Sequence, residues 1–171
     1  MKLTPGVMAE ISICTALALI LGLIKFSPVS QGGSISLVMV PIFVLALRRG
    51  WLVGSTGGIL LGIIQLLTDA YVVHPVQFIV DYPLAYGLIG LAGFFRKKHA
   101  LGIILGGSAR FLAHFVSGII FFASYAPEGF NFLLYSLFYN ASYMIPEIIL
   151  SLVAVKLIYK KSPTVFNYGQ N

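Results

Sequence analysis

Tyr71-Val72-Val73-His74-Pro75-Val76-Gln77-Phe78-Ile79-Val80-Asp81-Tyr82 is an apolar run that nevertheless carries a carboxylate, one of only five in 171 residues. An acid placed where water is scarce costs several kilocalories unless something compensates it, so Asp81 reads as a functional position. The rest of the composition says why water is scarce there. The chain is 58% hydrophobic and 9% charged, with mean hydropathy +0.96, whereas soluble domains carry about 25% charged residues. The sequence therefore predicts an all-α membrane protein, a single domain over residues 1–171.

A hydrocarbon core of about 30 Å needs about 20 apolar residues per helix. Candidate spans run over about 7–23, 35–47, 51–67, 75–95, 101–122 and 132–158, a bundle of six transmembrane helices. The second is short and contains Pro41. Turn residues separate the spans: Ser27-Pro28 through Gly32-Gly33, Arg48-Arg49-Gly50, Thr68-Asp69, and Pro127-Glu128-Gly129. No small-residue cleavage site follows the first apolar stretch, which reads as a span and not a removable signal. Lys2, Arg48-Arg49, Arg96-Lys97-Lys98 and Lys160-Lys161 fall in alternate connections. The positive-inside rule puts those connections, and both termini, in the cytoplasm. The short second helix is required by this pattern, because without it Arg48-Arg49 and the Arg96 cluster would face opposite sides. The net charge of +6 is accounted for by these flanking residues facing anionic lipid headgroups, with no nucleic-acid partner.

A rise of about 1.5 Å per residue converts position into depth. Asp81 lies about 9 Å below the outer surface, His114 about 10 Å and Asn140 about 12 Å, so three helices carry an acid, an imidazole and an amide to one level. Helical spacing adds neighbours. Gln77 shares a face with Asp81, Gly118 and Phe122 lie on the outward side of His114, and Tyr135, Tyr139 and Tyr143 form an i, i+4 series beside Asn140. Tyr71 and Tyr82 bracket the acid, and Ser36 begins the second span near the same level. A carboxylate with aromatic walls suits a flat organic cation, through charge, cation–π contact and stacking, while the amides and imidazole read ring heteroatoms.

Other readings compete at several positions. Arg110, one turn deeper than His114, is an alternative partner for Asp81 as a buried ion pair. His74 and His99, at helix ends, are expected to be solvated, Glu10 to reach water at the inner interface, and Glu147 has no partner legible in the sequence. Gly54, Gly57, Gly58 and Gly62 permit close helix packing, and Ser12 and Ala16 give the first helix a small-residue face, for internal packing or for docking another membrane protein. Cys14 reads as a small packing residue. No catalytic or metal set emerges: G-x-x-x-x-G-K-[ST], H-E-x-x-H and G-x-S-x-G are missing, and His114 with Asp81 has no nucleophile to complete it.

Gly32-Gly33-Ser34-Ile35-Ser36, Pro41-Ile42, Arg48-Arg49-Gly50, Tyr71-x-x-His74-Pro75-x-Gln77-x-x-x-Asp81-Tyr82, His114-Phe115-x-Ser117-Gly118, Tyr135-Ser136 and Asn140 together resemble the ThiT family, the thiamine-specific S-components of energy-coupling-factor (ECF) transporters of Gram-positive bacteria. The resemblance runs from Glu10 to Lys156. It implies a multi-pass subunit of the bacterial cell membrane that captures thiamine from outside, is not an enzyme, needs no cofactor, and docks on an ECF transmembrane coupling protein driven by two ATPase subunits. It implies Tyr71, Asp81, Tyr82, His114, Gly118, Tyr135 and Asn140 as binding residues and Ser12 and Ala16 as the docking face. The sequence departs from other members at Gly32 and Ser36, where some carry Trp and Glu, at Phe122 and Pro127, where some carry Trp, and at Asp81, where some carry Glu. Three alternatives remain beside this one: an S-component for an uncharged thiamine precursor, a small intramembrane hydrolase built on His114 and Asp81, and a self-sufficient channel.

Overall fold

A computed structural model describes residues 4–28, 33–68 and 70–167; Lys2, Gly32 and Asp69 lie outside the described residues. The architecture is all-α, with α1 (Pro5–Leu23), α2 (Val40–Arg49), α3 (Trp51–Thr68), α4 (Pro75–Phe95), α5 (His99–Phe121) and α6 (Phe132–Lys161). Five of these are long and apolar enough to cross a membrane, and their ends fall within a turn of the expected ones. Local chemistry sets those ends. Thr4 accepts the Val7 N–H and Pro5 sits in the first turn of α1, and Asn131 accepts the N–H groups of Leu133 and Leu134 at the start of α6; both cap donors that have no partner inside the helix.

The second span departs from expectation. Its helix begins at Val40, not Ile35, because Pro41 has no N–H to give and fits only the first turn. Gly33–Met39 is irregular instead, pinned by paired backbone bonds between Phe26 and Ile35 at 2.7 and 3.0 Å. At 10 residues α2 is about 15 Å long, half a bilayer. It is tolerated because protein surrounds most of it: Ile42, Phe43, Leu45, Ala46 and Leu47 are all fully buried, and α2 touches each of the other five helices. Irregular backbone at membrane depth survives only where protein surrounds it or it lines a cavity, and the Gly33–Met39 segment does line one.

Glycine lets α3 approach its neighbours closely. A β-carbon on Gly58 or Gly62 would run into the backbone carbonyls of Tyr86 and Tyr82 on α4, so packing explains these glycines. Cys14 likewise packs, against Val7, Ile11, Leu45 and Val53. Ser12 and Ala16 are exposed, unlike Thr15 beside them, whose hydroxyl donates to Gly57 O; they do not pack inside this bundle.

The two ends of the bundle differ. At one, Glu10 accepts from Arg49 at 2.6 Å and from Arg48 at 3.2 Å, Arg96 donates to the carbonyls of Leu47 and Arg48, and Arg48 donates to Val165 O. Glu10 thus pairs with both arginines instead of simply reaching water. His99 is not solvated either: it is half-buried between the rings of Tyr159 and Phe166. By the positive-inside rule this is the cytoplasmic end. The opposite end holds the cavity.

Candidate functional site

Asp81 sits where α4 stops being a regular helix. Val80–Leu84 forms a π-helical turn around Pro83, which cannot donate into the helical ladder. Such one-residue insertions re-aim side chains and recur at functional sites. Asp81 is turned inward, and its carboxylate accepts from Gln77 Nε2 at 2.7 Å, from Ser117 Oγ at 2.9 Å and from His114 Nδ1 at 3.1 Å. Gln77 is itself buried and held by Val73 N–H and Tyr71 O. Arg110 does not cover this acid. It pairs with Glu147 at 2.9 Å and lies over the Tyr86 ring, 4.2 Å from its centroid. Glu147 therefore has the partner that the sequence did not reveal, and a second in Ser36 Oγ at 2.9 Å.

The common depth of Asp81, His114 and Asn140 holds in three dimensions, since Asn140 Nδ2 lies 3.4 Å from His114 O. Asn140 also donates to Ser136 O at 2.8 Å and accepts from the Tyr143 hydroxyl at 2.6 Å. Gly118 is where α5 meets this group; a β-carbon there would overlap Ser136 Oγ. His114 faces a carboxylate through Nδ1, so that nitrogen carries the proton. Nε2 is buried and bonds to no hydroxyl. Among the described residues no serine is poised against it.

These groups open into one cavity of about 130 Å³, roughly ten times the 10–15 Å³ that a water molecule requires. It is sized for an organic ligand. All eleven residues singled out from the sequence line it, Ser36, Tyr71, Gln77, Phe122 and Tyr135 among them. The outer rim is aromatic. Tyr71 and Phe122 stack with centroids 6.2 Å apart, Phe122 meets Tyr125 edge-on at 5.6 Å, and the Tyr71 and Tyr125 hydroxyls lie 2.8 Å apart. The hydrogen bond between them raises the Tyr71 phenol above its ordinary pKa. Tyr82 Oη accepts the Tyr71 N–H at 2.7 Å, which ties the connection between α3 and α4 to the acid's own helix. His74 is exposed as expected, capping α4 through Nδ1 and stacking on Phe121.

Sequence reasoning missed Lys25, Gln65, Tyr125 and Ser136 in the lining. Lys25 and Gln65 are polar residues at the outer ends of apolar helices, which is the signal that was there to use. Ser117, which bonds Asp81, lies three residues after His114 and so shares its face.

The family model described as "Thiamine transporter protein (Thia_YuaJ)" matches residues 8–167. The chain is 36% identical over 173 residues to "Thiamine transporter ThiT" of Bacillus subtilis (strain 168), covering 90% of each. It is 31% identical over 180 residues to the protein of the same name from Lacticaseibacillus paracasei, covering 94% of this chain and 90% of the other. Among solved structures, ThiT from Listeria monocytogenes superposes with a TM-score of 0.87 at 30% identity, covering 94% of this chain and 96% of that one.

Proposed function

The chain belongs to the thiamine transporter (Thia_YuaJ) family, a family of multi-pass membrane proteins that are not enzymes, and on that premise we propose that it binds thiamine in the Asp81 cavity from the outer face. One observation carries this reading. Asp81 is satisfied by an amide, a hydroxyl and an imidazole and, among the described residues, not by a lysine or arginine, so its oxygens are ordered while a negative charge still faces an aromatic cavity. Thiamine is a flat organic cation with a permanent thiazolium charge, and Asp81 answers that charge. Tyr82, Phe122 and Tyr135 stack on or enclose the two rings, Tyr71 and Gly118 complete the walls, and His114, Asn140 and Tyr143 address the pyrimidine or the hydroxyethyl group.

Uptake needs energy that this chain has no motif to supply. We assign that role to partners of the ECF type, a transmembrane coupling protein and two ATPases, docked on the exposed small-residue face at Ser12 and Ala16. Small residues let a foreign helix approach within backbone distance in lipid, where close packing replaces the hydrophobic effect as the driving force.

Calorimetric titration of the purified, detergent-solubilised chain tests the binding step. Saturable one-to-one binding of thiamine is expected, with an uncharged hydroxymethylpyrimidine a poor competitor. Preference for the uncharged compound would make the protein a precursor carrier instead. Turnover of either compound is not expected.

A further inference from the structure

At the end of the bundle that the positive-inside rule puts in the cytoplasm, the basic residues divide into two sets. Arg48, Arg49 and Arg96 are engaged within the protein, by Glu10 and by backbone carbonyls. Lys97, Lys98, Lys156, Lys160 and Lys161 are exposed, and among the described residues their ammonium groups form no hydrogen bond or ion pair. No acidic side chain is left for them. Of the five in the chain, Glu10 holds the arginines, and Asp81 and Glu147 are bonded inside the bundle. Glu128 lies past the far end of α5. Asp69, outside the described residues, falls by sequence in the connection from α3 to α4, at that same far end.

The fold gathers the five lysines. His99, next to Lys98, meets the Tyr159 ring edge-on at 4.8 Å between centroids and the Phe166 ring at 4.7 Å. The start of α5 and the last turns of α6 are therefore neighbours, which brings Lys97-Lys98 alongside Lys160-Lys161. Lys156, four residues before Lys160, shares its face of α6. Helix stability accounts for only part of this set. Lys160 and Lys161 occupy the last turn of α6, where cations complement the helix dipole. Lys97 and Lys98 precede the first turn of α5, where cations oppose the dipole and no acidic residue offsets them. Like charges held this close repel one another, and an external anion relieves that repulsion.

The surroundings favour lipid as the source of the anion. Leu101, Leu157 and Tyr159 expose apolar surface beside the lysines, which puts ammonium groups at headgroup level above a surface for acyl chains. The exposed face of Ser12 and Ala16 is on α1, which packs on α2 and α3, whereas the lysines belong to α5 and α6. A protein docked on α1 leaves them facing the bilayer.

We propose that the lysines where α5 meets α6 form a binding site for the headgroup of an anionic phospholipid of the cytoplasmic leaflet. The inference goes beyond the thiamine reading and stands or falls without it. The lipid phosphate accepts charge-assisted hydrogen bonds from the ammonium groups, and an uncharged or zwitterionic headgroup gains less from them.

Native mass spectrometry of the purified, detergent-solubilised chain tests this, with phosphatidylglycerol and phosphatidylcholine of identical acyl chains added in turn. Wild type is expected to retain phosphatidylglycerol about tenfold better, to saturate at one or two lipids, and to lose the preference as ammonium acetate rises from about 0.05 to 0.5 M. Changing Lys97, Lys98, Lys160 and Lys161 together to Gln should abolish the preference, and changing the same four to Arg should keep it. Thermal unfolding checks that each variant folds. If the fourfold Gln variant does not fold, the double variants Lys97→Gln/Lys98→Gln and Lys160→Gln/Lys161→Gln decide, each expected to lower the preference several-fold. Equal retention of the two lipids by wild type overturns the proposal and leaves an acidic protein surface as the partner for these lysines. A preference unchanged in a folded Gln variant also overturns it, as does retention that climbs without saturating, the mark of diffuse surface charge. Displacement of the lipid by millimolar glycerol 3-phosphate overturns it in favour of a soluble phosphate.

Discussion

Two carboxylates, Asp81 and Glu147, lie in the same bundle at neighbouring depths and are held in opposite ways. Their α5 partners, His114 and Arg110, are four residues apart, about 6 Å along the axis. Glu147 is fully buried and matched by a guanidinium; its charge is cancelled where it sits. Asp81 stands at the cavity and is surrounded by groups that order it without a permanent countercharge. The difference teaches how one small membrane domain separates structure from recognition. A charge in a low-dielectric interior needs compensation, and the protein supplies it at the deeper acid and leaves it to a cationic ligand at the outer one.

The comparison breaks most visibly at Arg110. Arg110→Met leaves Glu147 buried without its cation and should lower stability by about 3–5 kcal/mol, read as a fall in the thermal unfolding midpoint in detergent. Replacing both partners, Arg110→Met with Glu147→Met, should restore most of that loss. A double variant as unstable as the single one would mean that the pair does more than cancel charge.

At the outer acid the effect should appear in binding and not in folding. Asp81→Asn keeps the shape and should weaken thiamine by more than about 1.4 kcal/mol, tenfold in affinity, while a neutral hydroxymethylpyrimidine is affected far less and the unfolding midpoint stays near that of the wild type. Equal losses for the two ligands would remove the charge argument.

Tyr82→Ala sharpens the contrast further by removing an aromatic wall and the acceptor of the Tyr71 N–H. A loss of about 1 kcal/mol in thiamine affinity is expected. Unchanged affinity in calorimetry would place that ring away from the ligand. The smallest effect should come from Tyr125→Phe, which deletes only the exposed hydroxyl contact with Tyr71. A stability change below about 1 kcal/mol is expected, and a larger one would make the rim a structural tie.

Much of this was legible in the chain. Apolar length gave five of the helices, because a span must cover the hydrocarbon with internally bonded backbone, whatever surrounds it. The helical rise put Asp81, His114 and Asn140 at one depth, because depth depends only on position along each span. Where the reading went astray, the reason lay in partners far apart in sequence. Ile35–Met39 was read as helix, and it is irregular because Pro41 starts the helix and the bundle shelters the segment before it.

Composition, periodicity and depth by themselves determined that this is a membrane bundle with a polar level near one face, since each follows from residues on a single helix. Which acid is neutralised and which stays available was decided only in three dimensions. By sequence Arg110 was matched with Asp81 alone, and the packing of α5 against α6 gives it instead to Glu147, 37 residues away. The π turn at Pro83 then aims Asp81 into the cavity, an adjustment of angle that no count along the chain contains.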